Sequence, residues 1–433
     1  MNPLAEKLNE TIKSCNQNVF EMLSERGKRI FYPVKGIIAQ AAEAKEQADP
    51  NYNATIGIAT DKNGPLGFNS ISKFFNDLSG NEIFNYSSSL GDPALRKAWE
   101  KHILENNPLL KGKSFSKPVV CSGLTHALHT VSELIIDKDD LILMPDQIWG
   151  NYRLMLSVKN EAKLEYYPFY KDEQFNIDGL SASIEKNAAA KKITLLLNFP
   201  NNPTGYAPTA KEAEKITEML ISFAEKGIKL VVILDEAYFG LFFKDDIYQN
   251  SLFSTLANAH ENLLAIKICG ATKEFFVWGF RIGFVTLATK GATKEFLTAF
   301  EQKLGALVRS SISNCSTSAQ NILRKVIEDD LYKKDFAKNH HILEKRVKKV
   351  QEVLQKEHYK EVFTFYPFNS GYFMLLKLKG INAEDLRKKL LVQEKIGTIA
   401  TADHDLRIAF SCIEEDKIEY VFDRIYTTAK SMI

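Results

Sequence analysis

Cysteine is scarce in this 433-residue chain, which carries only Cys15, Cys121, Cys269, Cys315 and Cys412. They are scattered, odd in number and form no CxxC pair, so neither a disulfide scaffold nor a zinc site is signalled. Cys121, Cys269 and Cys412 sit in or beside apolar runs and read as small buried hydrophobes. Excess charge is missing too. A formal net charge of +2 offers no field for nucleic acid or an anionic membrane. No apolar run reaches the length that spans a bilayer. The first residues, MNPLAEKLNETIK, lack an apolar stretch between a basic start and a small-residue cleavage site, so the expectation is a cytoplasmic, unsecreted protein. Repeats and low-complexity linkers are absent. What remains is ordinary globular composition, 45% hydrophobic and 25% charged, in a length that suits one large domain plus a smaller one.

The first fifty residues predict helices. FEMLSERGKRI is one amphipathic candidate, Pro33 interrupts, and VKGIIAQAAEAKEQA resumes with good helix formers until Asp49-Pro50-Asn51. Such a segment cannot bury itself and is expected to pack on the body or on a partner subunit. NATIGIATDKNGPLGFNSI then offers Gly57 and Ala59, small residues where backbone approaches a ligand closely, and a turn at Asn63-Gly64-Pro65. Asp92 is a good N-cap with Pro93 at N1.

From Pro118 the pattern changes. PVVCSG, DDLILMP, LEYYPFY, KKITLLLNFP, KLVVILDEAYF, LLAIKICG and FRIGFVTLA read as strands, most of them separated by helices such as LTHALHTVSELII. That predicts an α/β fold with a mainly parallel sheet covered on both faces. The last two strands lack a helix between them, so the sheet is expected to be mixed. After Gly291 come helices, then an α+β tail with strands VFTFYPF, SGYFMLLKLKG and DLRIAFSC. The expected division is N-terminal helices over 1–54, a large α/β domain over 55–325 and a small α+β domain over 326–433.

Chemistry concentrates at strand ends. Lys273 follows LLAIKICGAT; burial or a nearby cation would lower its pKa and let it form a Schiff base with an aldehyde, while a solvated lysine is the plainer alternative. Arg281, in FRIG, offers a phosphate several donors in fixed geometry. Gly123-Leu124-Thr125 lie where a strand hands over to a helix N-terminus, a natural anion site. Asp235 ends KLVVIL, at the edge that faces the ligand crevice in open α/β sheets. In NNPTG, Pro203 holds Asn202 extended and Gly205 permits a tight turn. Trp149 follows the strand DDLILM and is otherwise an ordinary core tryptophan. Arg407 opens DLRIAFS, where a buried guanidinium needs a partner.

Taken together, GATK with RIG, NNPTG and DEAY resemble the class I/II aminotransferases that use pyridoxal 5′-phosphate, fold type I; Trp149 followed by Gly150 and Asn151 resembles the aspartate aminotransferase branch most closely. The resemblance runs from Gly57 to Arg407. It implies that Lys273 is the Schiff-base lysine and the base for the Cα proton. Asp235 would partner the ring nitrogen, and Asn202 and Tyr238 the phenolic oxygen. Arg281, Gly123, Leu124, Thr125 and Thr272 would hold the phosphate, Thr272 making up for a serine that relatives carry where this chain has Gly270. Trp149 would stack on the ring. Tyr86 would reach the cofactor of a neighbouring subunit, making a homodimer with shared active sites. Arg407 would take the substrate α-carboxylate, with Ala59 alongside. Arg309, in VRSSISNCST, resembles an arginine that reads a side-chain carboxylate across the dimer; here Ile312, Cys315 and Ser316 replace that motif's tyrosine and prolines.

The implied reaction is ping-pong transfer between an L-amino acid and a 2-oxo acid, with aspartate, glutamate or aromatic donors. The competing enzyme class is a pyridoxal-phosphate lyase, and the non-enzyme class is a cofactor-binding sensor.

Overall fold

The strand KLVVIL explains the architecture in miniature. Every residue of Leu230–Asp235 is buried, as expected of a central strand covered on both faces. The structure, a computed structural model, describes residues 1–33, 36–330 and 332–433.

Seven strands form the main sheet: β1 (Val119–Cys121), β2 (Leu141–Pro145), β3 (Lys163–Tyr167), β4 (Ile193–Asn198), β5 (Leu230–Asp235), β6 (Leu263–Cys269) and β7 (Gly283–Ala288). Their order is β1-β7-β6-β5-β4-β2-β3. β7 alone runs antiparallel to its neighbours, pairing Gly283 with Cys121 on one side and Phe284 with Cys269 on the other. The mixed sheet follows from the short β6–β7 connection, which holds only a helical turn, Ala271–Glu274, and a single 3₁₀ turn, Trp278–Phe280. In register, Asn198, Asp235 and Ile268 lie side by side, so the parallel strands deliver their last residues to one edge.

A second sheet holds four antiparallel strands, β8 (Phe363–Phe365), β9 (Met374–Leu378), β10 (Ile399–Ala402) and β11 (Asp405–Ile408), in the order β8-β9-β11-β10. It has its own apolar cluster, including Met374, Leu406 and Phe422. The helix Tyr332–Val353 passes between the cores: Leu343 packs in the larger cluster and Val347 in the smaller.

The N-terminal segment forms α1 (Pro3–Cys15), α2 (Gln17–Met22), α3 (Glu25–Arg29) and α4 (Ile37–Gln47). The sequence predicts one helix over FEMLSERGKRI, but the structure breaks it at Leu23-Ser24. Ser24 accepts a hydrogen bond from Gly27 N and so caps a new helix. Val34 and Lys35, which open the second predicted helix, lie outside the described residues. α3 leans on the main body through Arg29 and Glu161, 2.9 Å apart. α4 lies on the small sheet through Gln40, whose side chain makes hydrogen bonds with both backbone groups of Ala400. Two more helices frame the site: α5 (Pro93–Asn106), capped by Asp92 as expected, and α6 (Gly123–Ile135). Among the described residues no helix is long and apolar enough to cross a membrane, and no cluster of acidic, histidine or cysteine side chains is placed to hold a metal.

Candidate active site

A cavity of about 310 Å³ opens where strand ends of the main sheet meet the small sheet and α4. Asp235 lies on its floor, only 3% exposed. Tyr152 donates its hydroxyl to Asp235 Oδ2 at 2.5 Å, and Ala237 N donates to Oδ1 at 3.1 Å. Burial pushes the Asp235 carboxyl up, against the Tyr152 hydrogen bond and the nearby Lys273 charge. A cation or donor arriving from the cavity would offset that burial. Asn198, one strand over, donates to Asp235 O and accepts from Asn202 N.

Lys273 sits in the helical turn between β6 and β7, with its amine 5.0 Å from the centre of the Tyr238 ring. Burial lowers its pKa to about 8; Asp235 opposes the shift and Arg281 adds to it. The lysine is therefore neutral far more often than a solvated one. Tyr238, 4% exposed, presses its ring on Tyr372 and Phe373, and burial raises its phenol.

At one end of the cavity the first turn of α6 is uncapped: Ser122 makes no side-chain cap hydrogen bond. Arg281, in a left-handed conformation at φ +54°, lays its guanidinium there. Gly123 has φ +76°, and a Cβ on it would fall 2.5 Å from Arg281 Nη2. Helix N–H groups and a guanidinium thus meet in one turn, an arrangement able to take a phosphate. Thr125 and Thr272 line it, and the buried Thr272 hydroxyl has no hydrogen-bond partner among the described residues. Gly270 is glycine for a packing reason. A Cβ there would lie 2.6 Å from Ile282 O and 2.9 Å from Gly283 Cα.

At the other end is Arg407, 2% exposed. Its Nη2 donates to Thr55 O at 2.8 Å and its Nη1 to Asn202 Oδ1 at 3.0 Å, with the guanidinium 4.1 Å from the Phe373 ring centre. Nε has no partner, no carboxylate pairs with the residue among those described, and burial lowers its pKa to about 10. A buried cation with only neutral partners is built for an anion from outside. Trp149 lines the cavity between these ends, edge-on to Tyr152 at 5.5 Å.

Three expected residues lie elsewhere. Tyr86 is 92% exposed. Arg309 is exposed in the last turn of the helix Lys294–Ser311, hydrogen-bonded to Ser313. Ala59 is a correction: it is fully buried in the core, its carbonyl accepting from Leu66 N, and Thr55, Ile56 and Gly57 line the cavity in its place. The sequence reading also missed Tyr152, Asn198, Thr55 and Phe373. Only Tyr152 carried a signal, one helical turn beyond Trp149.

Behind the cavity floor lies a second set of charges. Glu236 and Glu274 each follow a cavity residue, Asp235 and Lys273. Glu236 is paired with buried Lys267 and hydrogen-bonded to Ser251. Glu274 meets His102 of α5 at 2.6 Å.

The model of the family described as "Aminotransferase class I and II" matches residues 56–425. The chain belongs to that family. It is 24% identical over 342 residues, 77% of this chain and 81% of the relative, to the Aquifex aeolicus protein named "Probable aspartate/prephenate aminotransferase". The fold is that of an Anaerococcus prevotii aminotransferase (TM-score 0.82, 24% identity, 94% of this chain and 99% of that one). A Pyrococcus horikoshii kynurenine aminotransferase also has this fold (TM-score 0.80, 15% identity, 96% and 98%). The protein is a pyridoxal-phosphate-dependent aminotransferase of fold type I. Its cavity fits the cofactor: the cradle at Gly123 and Arg281, the unpartnered Thr272 hydroxyl, the depressed lysine and the buried carboxylate each match a group of pyridoxal 5′-phosphate.

Proposed function

We propose that this aminotransferase moves an amino group between an L-amino acid and a 2-oxo acid in two alternating half-reactions. The donors are drawn from aspartate, glutamate and the aromatic amino acids. The convergence of Lys273, Asp235 and Arg407 on one cavity carries the proposal.

When bound, pyridoxal 5′-phosphate supplies an aldehyde that takes the amino nitrogen and a ring that accepts the electron pair freed at Cα. The protein's part is to hold, orient and move a proton. Arg281, the N–H groups at Gly123 and Leu124, and the hydroxyls of Thr125 and Thr272 hold the phosphate. Lys273 would be the residue that holds the cofactor's aldehyde end between turnovers. Once displaced it is the base at the substrate Cα, and a pKa of about 8 suits that task near neutrality. Asp235 receives the ring nitrogen, and Tyr152 keeps its carboxylate oriented. Trp149, which lines the cavity, would cover the ring. Arg407 occupies Asn202 Oδ1, which leaves the Asn202 amide free to donate, with Tyr238, to the phenolic oxygen. Arg407 also takes the substrate α-carboxylate.

The exposure of Tyr86 supports a homodimer in which each chain lends that residue to the other's site. A cytoplasmic location and the division at 54/55 and 325/326 belong to the same proposal.

The test is an absorbance spectrum of the cofactor-loaded protein while single amino acids are added without a keto acid. Stoichiometric conversion to the pyridoxamine form, reversed by a keto acid, is the expected result. Continuous product release with the aldehyde form intact would make it a lyase.

A further inference from the structure

The positive groups of the cavity divide its wall. Arg281 is committed to the phosphate turn, Lys273 to the centre and Arg407 to the far end. No other lysine or arginine among the described residues lines the cavity. Arg309 is exposed and bonded to Ser313. Beyond Thr55 the wall becomes apolar: Ile37, Ile38 and Ala41 from α4, and Ile56 from the chain next to Arg407's partner. Ile37 and Ala41 lie one helical turn apart on one face.

This wall is fixed to the carboxylate end of the site. Gln40 donates to Ala400 O at 3.1 Å and accepts from Ala400 N at 2.9 Å. Ala400 pairs with Leu406, the residue before Arg407. α4 and Arg407 therefore ride on one sheet, and an amino acid docked on Arg407 meets the face of α4. Ile38 is 64% exposed and Ile56 37% exposed, so the mouth offers apolar surface for a side chain to cover. A second carboxylate placed there would lose water and meet no lysine or arginine among the described residues of this chain.

We propose that Ile37, Ile38, Ala41 and Ile56 form the side-chain subsite, and that the preferred donor has an apolar or aromatic side chain. The proposal rests on the aminotransferase reading above and narrows its donors.

Two measurements on the cofactor-loaded protein test it. Calorimetry compares 3-phenylpropanoate with succinate, neither of which can react. Single-turnover absorbance compares L-phenylalanine and L-leucine with L-aspartate and L-glutamate. The expected result is at least about tenfold tighter binding of 3-phenylpropanoate and a matching preference in turnover. Ile38→Arg, at an exposed position, should move the ratio about tenfold toward aspartate. Tighter succinate, faster aspartate, or an unmoved ratio in Ile38→Arg overturns the subsite. An aspartate preference that vanishes in Arg309→Ala overturns it and gives the second carboxylate to Arg309. A preference for 3-phenylpropanoate with no amino acid turned over supports the subsite and sinks transamination instead.

Discussion

Tyr152 and Asp235 are joined by a 2.5 Å hydrogen bond between residues 83 positions apart. The phenol is buried, and burial together with the carboxylate keeps it protonated. It is thus a fixed donor. A hydrogen bond to a charged group contributes about 1.5–3 kcal/mol. Tyr152→Phe should therefore slow the half-reaction between about tenfold and about a hundredfold, while phosphate-held cofactor stays bound. Stopped-flow absorbance measures the first and gel filtration the second.

Lys273 sets a pH dependence. Its pKa of about 8 means that the neutral amine, the form that captures an aldehyde, is lost as pH falls through 8. Cofactor capture by the cofactor-free protein should rise with a midpoint near 8, against about 10.4 for a free lysine. Asp235 raises the lysine pKa, so Asp235→Asn should move the midpoint down; Arg281 lowers it, so Arg281→Ala should move it up. Lys273→Ala should show no imine band at any pH.

Arg407 has no acidic partner among the described residues, so its loss leaves no orphaned carboxylate. Arg407→Lys keeps the charge but not the paired donors. KM for the amino acid should rise about fiftyfold, the effect of one charge-assisted pair, with the resting spectrum unchanged. An equal loss in thermal stability would mark a structural arginine instead.

Gly270→Ser is the substitution that relatives would suggest, and it should fail. Its Cβ would meet the Ile282 carbonyl at 2.6 Å, and a backbone atom cannot step aside as a side chain can. Overpacking costs about 1–3 kcal/mol, readable in the denaturation midpoint. Cofactor affinity should not improve.

The pair Lys267–Glu236 is buried behind the site. Removing one partner strands a charge, so Lys267→Met should cost about 3–5 kcal/mol, and Lys267→Met with Glu236→Gln much less. Urea denaturation of the two variants decides it.

The parts of this fold that were legible in the sequence are those with local signals. Strands such as KLVVILD are apolar throughout, and Asp92-Pro93 announces a helix. NNPTG, DEAY and GATK mark strand ends, and the residues they name line one cavity. What was hidden depends on neighbours far along the chain. The phenol of Tyr152 matters because of where Asp235 ends its strand. Asn198 is the last letter of an apolar run, and only its register beside Asp235 gives it a task. Ala59 looked suited to a ligand because it is small, yet small residues serve close packing equally well. α4 showed helix propensity but not that its apolar face would look into the cavity. The split at Ser24 was local and readable, since serine caps helices better than it continues them.

The antiparallel insertion of β7 between β1 and β6 bears on when the protein first meets its cofactor. Gly283 lies against Gly123 only because the chain returns to that gap after four other strands have been laid down. A nascent chain that has emerged as far as Asp235 owns the helix end and the carboxylate, but neither the lysine nor the guanidinium. Domains form from the N-terminus during translation, so cofactor capture should wait until Lys273, Arg281 and Gly283 have emerged from the ribosome. Imine absorbance in a translation time course would then report completion of the sheet, not its beginning.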